Sequence, residues 1–139
     1  MPKFTETQTF PTLAYGVLGL SAVAVAGAGL LWPVLPLGLA VNLLWLRTTV
    51  TETQLSVSFG ALFPLYRRSI ARADIVSFEA VTYSPLAEYG GWGIKWGRSG
   101  LALNARGDRG VRLMLTDGRR VLVGSQRAEE LAAALAASR

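Results

Sequence analysis

The stretch PTLAYGVLGLSAVAVAGAGLLWPVLPLGLAVNLLWL, residues 11 to 46, contains no Asp, Glu, Lys or Arg. The following 93 residues, 47 to 139, hold 13 of the 14 basic and 8 of the 9 acidic side chains, a net charge of +5. The whole chain is 51% hydrophobic and 17% charged, whereas ordinary soluble domains carry roughly a quarter charged residues. The apolar excess is thus local. As one straight helix, 36 residues would reach about 54 Å, at about 1.5 Å per residue. The hydrocarbon core of a bilayer is only about 30 Å thick. Two antiparallel spans fit better, and Gly27, Gly29, Trp32, Pro33 and Pro36 punctuate the middle of the run. The sequence therefore predicts an N-terminal tail over 1–10, a two-span transmembrane helical hairpin over 11–46 with its turn within residues 27–34, and a separate domain over 47–139.

Aromatic residues fall where membrane interfaces are expected: Phe10 and Tyr15 at the start, Trp32 at the turn, and Trp45 just before Arg47 at the exit. Small residues four apart, Ala22 with Ala26 and Ala24 with Ala28, allow close helix approach. Asn42 is the only amide of the second segment and reads as an interhelical contact, to the first helix or to a second copy of the chain. A secretory signal peptide is the competing reading, from the small-residue strings Ala22-Val23-Ala24 and Ala24-Val25-Ala26. It is opposed by Glu6 beside Lys3 and by apolar sequence that continues past any cut. Basic residues after Leu46 and at Lys3, with none in the turn, place both termini on the cytoplasmic side of the cell's inner membrane.

Residues 48 to 126 read as short strands. Leu55, Val57 and Phe59 alternate with Gln54, Ser56 and Ser58 as in a half-buried strand. Pro64 makes the next run, Leu62 to Ile70, an edge or bent strand. Ile75 to Tyr83 alternates and then loses phase, which suggests a bulge. Trp92–Trp96, Leu101–Ala105, Val111–Thr116 and Val121–Val123 complete about seven strands. Arg106-Gly107-Asp108-Arg109-Gly110 and Asp117-Gly118 are turn signals, each expected to close a hairpin. Residues 127–138 read as a helix, with Ser125 as cap, Glu129 and Glu130 near its positive end, and Leu131 and Leu135 on one face.

The chain has no His and no Cys. That removes imidazole bases, thiolate nucleophiles, disulfides and the usual zinc sites. The carboxylates show no metal-ligand spacing. Ser125 has no base near it in sequence, and although Glu79 and Glu88 could come together across strands, nothing requires them to. No catalytic, cofactor or metal residue is expected, and the chain reads as a protein other than an enzyme.

The strings Phe63-Pro64-Leu65-Tyr66-Arg67-Arg68, Tyr89-Gly90-Gly91-Trp92-Gly93-Ile94 and Asp117-Gly118-Arg119-Arg120-Val121-Leu122-Val123-Gly124-Ser125-Gln126 resemble bacterial pleckstrin-homology-like membrane proteins. The resemblance covers nearly the whole chain. It implies a transmembrane α-hairpin followed by a mainly-β domain: about seven antiparallel strands in a partly open barrel, capped by a C-terminal helix. It carries no catalytic residues.

Two features compete for function. Gly90, Gly91 and Trp92 lie in a glycine-rich string that reads either as a ligand cradle or headgroup wedge, or as a turn feeding a strand. Its glycine spacing does not fit a dinucleotide fingerprint. The basic pairs Arg67 with Arg68, Lys95 with Arg98, Arg106 with Arg109, and Arg119 with Arg120 suit an anionic leaflet, at about 1 kcal/mol per residue, or are ordinary solvated charge. Scattered along strands, they do not suit nucleic acid. The expected function is a membrane-anchored binding or scaffolding module that docks a membrane protein partner or anionic lipid headgroups at the bilayer. Self-association through the spans is a further expectation. The alternative is a regulatory or accessory subunit of an envelope enzyme or transporter that binds no lipid itself.

Overall fold

Phe4, Glu6 and Gln8 are buried and alternate with Thr5, Thr7 and Thr9, so the expected N-terminal tail is a strand, β1 (Phe4–Thr9). The computed structural model describes residues 2–29, 34–97 and 100–137. The charge-free run follows β1 and is divided three ways. Helix α1 (Thr12–Gly27) ends in a turn in which Ala28 N donates to Ala24 O and Gly29 N to Ala26 O. Helix α2 (Val34–Asn42) is shorter, and the last residues of the run already belong to strand β2 (Trp45–Val50). Leu46 is drawn into the core opposite Phe59, which is why helix cannot continue there.

Those boundaries correct the first expectation. Helices α1 and α2 have 16 and 9 residues, and none of the helices among the described residues is long and apolar enough to cross a membrane. The two-span transmembrane hairpin is overturned, and so is the placement in the inner membrane with both termini cytoplasmic that rested on it. Trp32 and half of the expected turn, residues 30–33, lie outside the described residues.

Strand β1 pairs antiparallel with β2, which pairs with β3 (Gln54–Phe59), which pairs with β4 (Tyr66–Ala71), giving a first sheet in the order β1-β2-β3-β4. Pro64 keeps residues 61–65 out of β4 as a loop. A 3-10 turn, Arg72–Asp74, leads to the second sheet: β5 (Ile75–Thr82), β6 (Gly93–Gly97), β7 (Gly100–Asn104), β8 (Arg109–Leu115) and β9 (Arg120–Gly124), in the order β5-β8-β9-β7-β6. Helix α3 (Pro85–Tyr89) precedes β6, and α4 (Ala128–Ala137) ends the fold.

Among the described residues the architecture is nine strands in two sheets, so the expected seven-stranded antiparallel barrel is also corrected. Among the described residues no closed barrel forms, because each sheet keeps its own two edges: β1 and β4 in the first, β5 and β6 in the second. Nor is the pairing wholly antiparallel. Strand β9 lies between β8 and β7 and runs parallel to β7, so the 106–110 turn does not close a hairpin, whereas Asp117-Gly118 joins the antiparallel pair β8 and β9. The register of β5 slips between Ile75 and Ser77, earlier than the alternation suggested, and leaves Val76 outside.

The core lies between the sheets, from Leu46, Val50, Leu55, Val57 and Phe59 on one side to Leu101, Leu103, Val111, Leu113 and Val123 on the other. Leu131 and Leu135 of α4 enter it fully buried. Two polar contacts fix α4. At its start, the buried Glu6 carboxylate accepts hydrogen bonds from Ser125 Oγ and, at 3.1 Å, from Gln126 N, while Ser125 Oγ accepts from Arg127 N at 3.0 Å. At its end, buried Arg72 donates from Nε to Leu135 O at 3.0 Å, a cation at the negative pole of the helix.

Candidate functional site

A strand exposes alternate residues, so the partners set by register decide which side chains share a face. On the outer face of the first sheet, Arg47 of β2 stands opposite Ser58 of β3, and Ser58 opposite Arg67 of β4. The next outward row is Thr49, Ser56 and Ser69, in which the two serine hydroxyls lie 3.1 Å apart. With strands about 4.8 Å apart, the backbones of Arg47 and Arg67 are separated by about 10 Å. A groove of about 350 Å³ runs over this face, lined by Arg47, Thr49, Ser56, Ser58, Leu62 and Arg67 among others, with no carboxylate in its lining.

The remaining cations are placed elsewhere. Arg119 binds Asp117 at 2.6 Å, and hydrogen bonds from its N–H and guanidinium hold that carboxyl below its ordinary range. Arg109 pairs with Glu129, whose carboxyl is also lowered, by a hydrogen bond from its own backbone N–H and by Arg109. Arg112 meets Glu88 at 3.2 Å and stands opposite Glu79 in register. Arg106 donates to Phe10 O at 3.3 Å. Arg47, Arg67, Arg68, Arg120 and Lys95 make no ion pair among the described residues.

Of those five, Arg47 and Arg67 stand in one row on a single face of the first sheet, whereas Lys95 and Arg120 share a face of the second sheet but belong to different rows. Arg68 follows Arg67 in sequence and therefore points to the opposite side of β4, level with buried Val57. Lys95 and Arg120 are on the second sheet, and Arg98 lies outside the described residues.

The glycine-rich string forms local structure. Ser84 and Glu88 build a capping box on α3: Ala87 N donates to Ser84 Oγ and Ser84 N to Glu88 Oε2. Gly90 ends that helix at φ 74°, the left-handed conformation of a C-cap. Trp92 is partly exposed but tethered, its Nε1 donating to Gly107 O at 2.9 Å. Behind it, Asn104 donates to Tyr83 Oη at 2.7 Å and accepts from Gly93 N at 2.8 Å. Burial of Tyr83 raises its phenol above the ordinary value, against the opposing hydrogen bond from Asn104.

At the base of the α1–α2 hairpin the expected interface residues come together. The rings of Tyr15 and Trp45 meet edge-on at 5.4 Å, and Phe10 packs against the core. Asn42 does not join the two helices. Its Nδ2 donates to Phe63 O at 3.0 Å, its Oδ1 accepts from Leu62 N at 2.8 Å, and its own carbonyl accepts from Ala61 N. It thereby clamps the loop Ala61–Leu65 to the end of α2. That loop is apolar and exposed, Leu62 at 89% and Phe63 at 48%, and it forms one rim of the groove. Along α1, Leu20 is 74% and Val23 71% exposed. Thr12, Tyr15 and Ser21 are the only polar side chains of that helix, and its apolar residues do not gather on one stripe.

Sequence reasoning missed Ser58, Thr49, Leu62 and Phe63. The alternation in β3 marks Ser56 and Ser58 as one face, but only strand register brings them between two arginines. Among the described residues, no cluster of carboxylates could hold a metal ion. The arrangement offers N–H and O–H donors to an anion, beside exposed hydrocarbon. No family model, curated protein or solved structure matches the chain.

Proposed function

We propose that the chain is a non-catalytic docking module, of the pleckstrin-homology-like kind its sequence resembles, that rests on an anionic lipid surface with no segment passing through it. The observation that carries this is helix α1, whose sequence is apolar around its circumference and which exposes Leu20 and Val23. A surface helix normally keeps one apolar stripe against its own domain and a polar face outward. A protein partner or a second copy would cover one side of α1 and leave the others in water, whereas acyl chains surround a helix completely. The clamped loop with Leu62 and Phe63 adds hydrocarbon at the hairpin base, and Arg47 and Arg67 stand next to it at the level expected for headgroups.

Geometry limits the depth. Helix α1 is about 24 Å long, and one leaflet offers about 15 Å of hydrocarbon. The helix therefore lies obliquely, tilted at least about 50° from the bilayer normal.

The test is flotation of the full chain with neutral and anionic vesicles, for the natural sequence and for the double variant Leu20→Lys, Val23→Lys. Burying each of these side chains contributes about 1.5–3 kcal/mol, and tenfold in partitioning corresponds to about 1.4 kcal/mol. The natural chain should float and the variant should bind at least about a hundredfold more weakly. A chain that stays at the bottom of the gradient would overturn the proposal. So would a stable dimer in buffer that the double variant converts to monomer.

A further inference from the structure

We propose that the row Arg47–Ser58–Arg67 is a phosphate site that takes the phosphate monoester headgroup of a lipid. Three observations converge on it. Register sets the two guanidinium-bearing residues on one face with a hydroxyl between them. Neither arginine makes an ion pair among the described residues, although Arg109, Arg112, Arg119 and Arg127 all do. The groove between them has no carboxylate in its lining and is floored by the hydroxyls of Thr49 and Ser56.

The chemistry follows from donor geometry. A guanidinium offers a planar fork of N–H donors that matches two oxygens of one phosphate. Two forks rooted about 10 Å apart approach one phosphorus from opposite sides. A monoester presents three unesterified oxygens, enough for both arginines and for Ser58 Oγ. A diester presents two, and leaves one donor set unmatched. The site should therefore prefer a monoester over a diester at equal surface charge. A diffuse basic patch has no such preference, because it responds to charge alone.

The lipid source of the phosphate rests on the docking function proposed above; recognition of the phosphate does not. The groove opens beside the rim made by Leu62 and Phe63, so a headgroup held there keeps its acyl chains next to exposed hydrocarbon.

The experiment uses the full chain in two arms. In the first, glycerol 3-phosphate is titrated while the amide resonances of Ser56, Ser58 and Arg67 are followed. In the second, binding is compared between vesicles containing phosphatidate and vesicles containing phosphatidylglycerol, matched in surface charge. The natural chain should show saturable shifts in the first arm and about tenfold tighter binding to phosphatidate in the second. The exposed pair Arg47→Gln, Arg67→Gln should abolish the shifts and the preference, while flotation through the hairpin persists. Arg119→Gln with Arg120→Gln should change neither. The variant Leu20→Lys, Val23→Lys should lose vesicle binding yet keep the shifts, which separates failure of the lipid surface from failure of the phosphate site. Equal binding to the two lipids, or a preference that survives loss of Arg47 and Arg67, would overturn the inference. Shifts in the first arm without any lipid preference would show a site for soluble phosphate and overturn the lipid source.

Discussion

Replacing Asn42 by Ala tests whether the hairpin base and the apolar loop act as one unit. Asn42 is 5% exposed, and its side chain makes two hydrogen bonds, to Phe63 O and from Leu62 N. Each bond contributes about 1 kcal/mol net, so the substitution should cost about 2 kcal/mol, more if the freed Leu62 N–H stays out of water. For a domain of this size, 1 kcal/mol moves the unfolding midpoint by about 3 °C, so Tm should fall by about 6 °C. Asn42→Asp keeps the acceptor for Leu62 N but loses the donor to Phe63 O and sets a buried carboxylate oxygen against that carbonyl, so at neutral pH it should cost at least as much as Asn42→Ala. Thermal unfolding gives the magnitude, and hydrogen exchange at the Leu62 amide gives the location. The Leu62 amide should exchange faster in Asn42→Ala and remain protected in Asn42→Asp. A change below about 0.5 kcal/mol with unaltered Leu62 exchange would refute the clamp.

Two further outcomes are expected. Glu6→Ala removes the acceptor for Ser125 Oγ and Gln126 N in a buried position, and should destabilise the fold by about 2–4 kcal/mol in urea unfolding; a loss under 1 kcal/mol would show that α4 is held without it. The phenol of Tyr83 is raised by burial above 10.0, so the folded protein keeps this proton more tightly than the unfolded chain. Its contribution is complete below pH 10.0 and is lost as pH rises from there towards the folded pKa. Stability should fall over that range, and less steeply in Tyr83→Phe; identical slopes in urea melts across that range would contradict the assignment.

Local signals in the sequence were legible where one element decides its own fate. The alternation around Leu55, Val57 and Phe59 marks β3, and Asp117-Gly118 marks the tight turn between β8 and β9. Ser125 does accept a hydrogen bond from Arg127 N, just before the C-terminal helix, though its other partner, Glu6, lies 119 residues away. What misled was the charge-free run. Absence of charge reports burial or an apolar surrounding but not conformation, and Trp45 and Leu46 look alike in a helix and in a buried strand. Strand β1 was hidden for the opposite reason: its inward residues, Glu6 and Gln8, are polar, and their bonds to Ser125 Oγ and Gly124 O exist only in the tertiary fold. The candidate site suffered most. Arg67 and Arg68 adjoin in sequence and separate in space, while Arg47 and Arg67 are 20 residues apart and share a face.

The pairing of β1 with β2 has a topological consequence. Thr9 stands opposite Trp45, and Phe10 N donates to Leu44 O at 3.0 Å, so the chain leaves and re-enters the first sheet at one point. Everything between is an insertion whose ends the ladder already holds together, and its loop-closure entropy is met by the strands and not by the hairpin. The two helices can lengthen, shorten or exchange for a two-residue turn without altering any strand register. The protein is thus a β-structured body with an interchangeable apolar arm, which evolution or design can retune while leaving the first sheet intact.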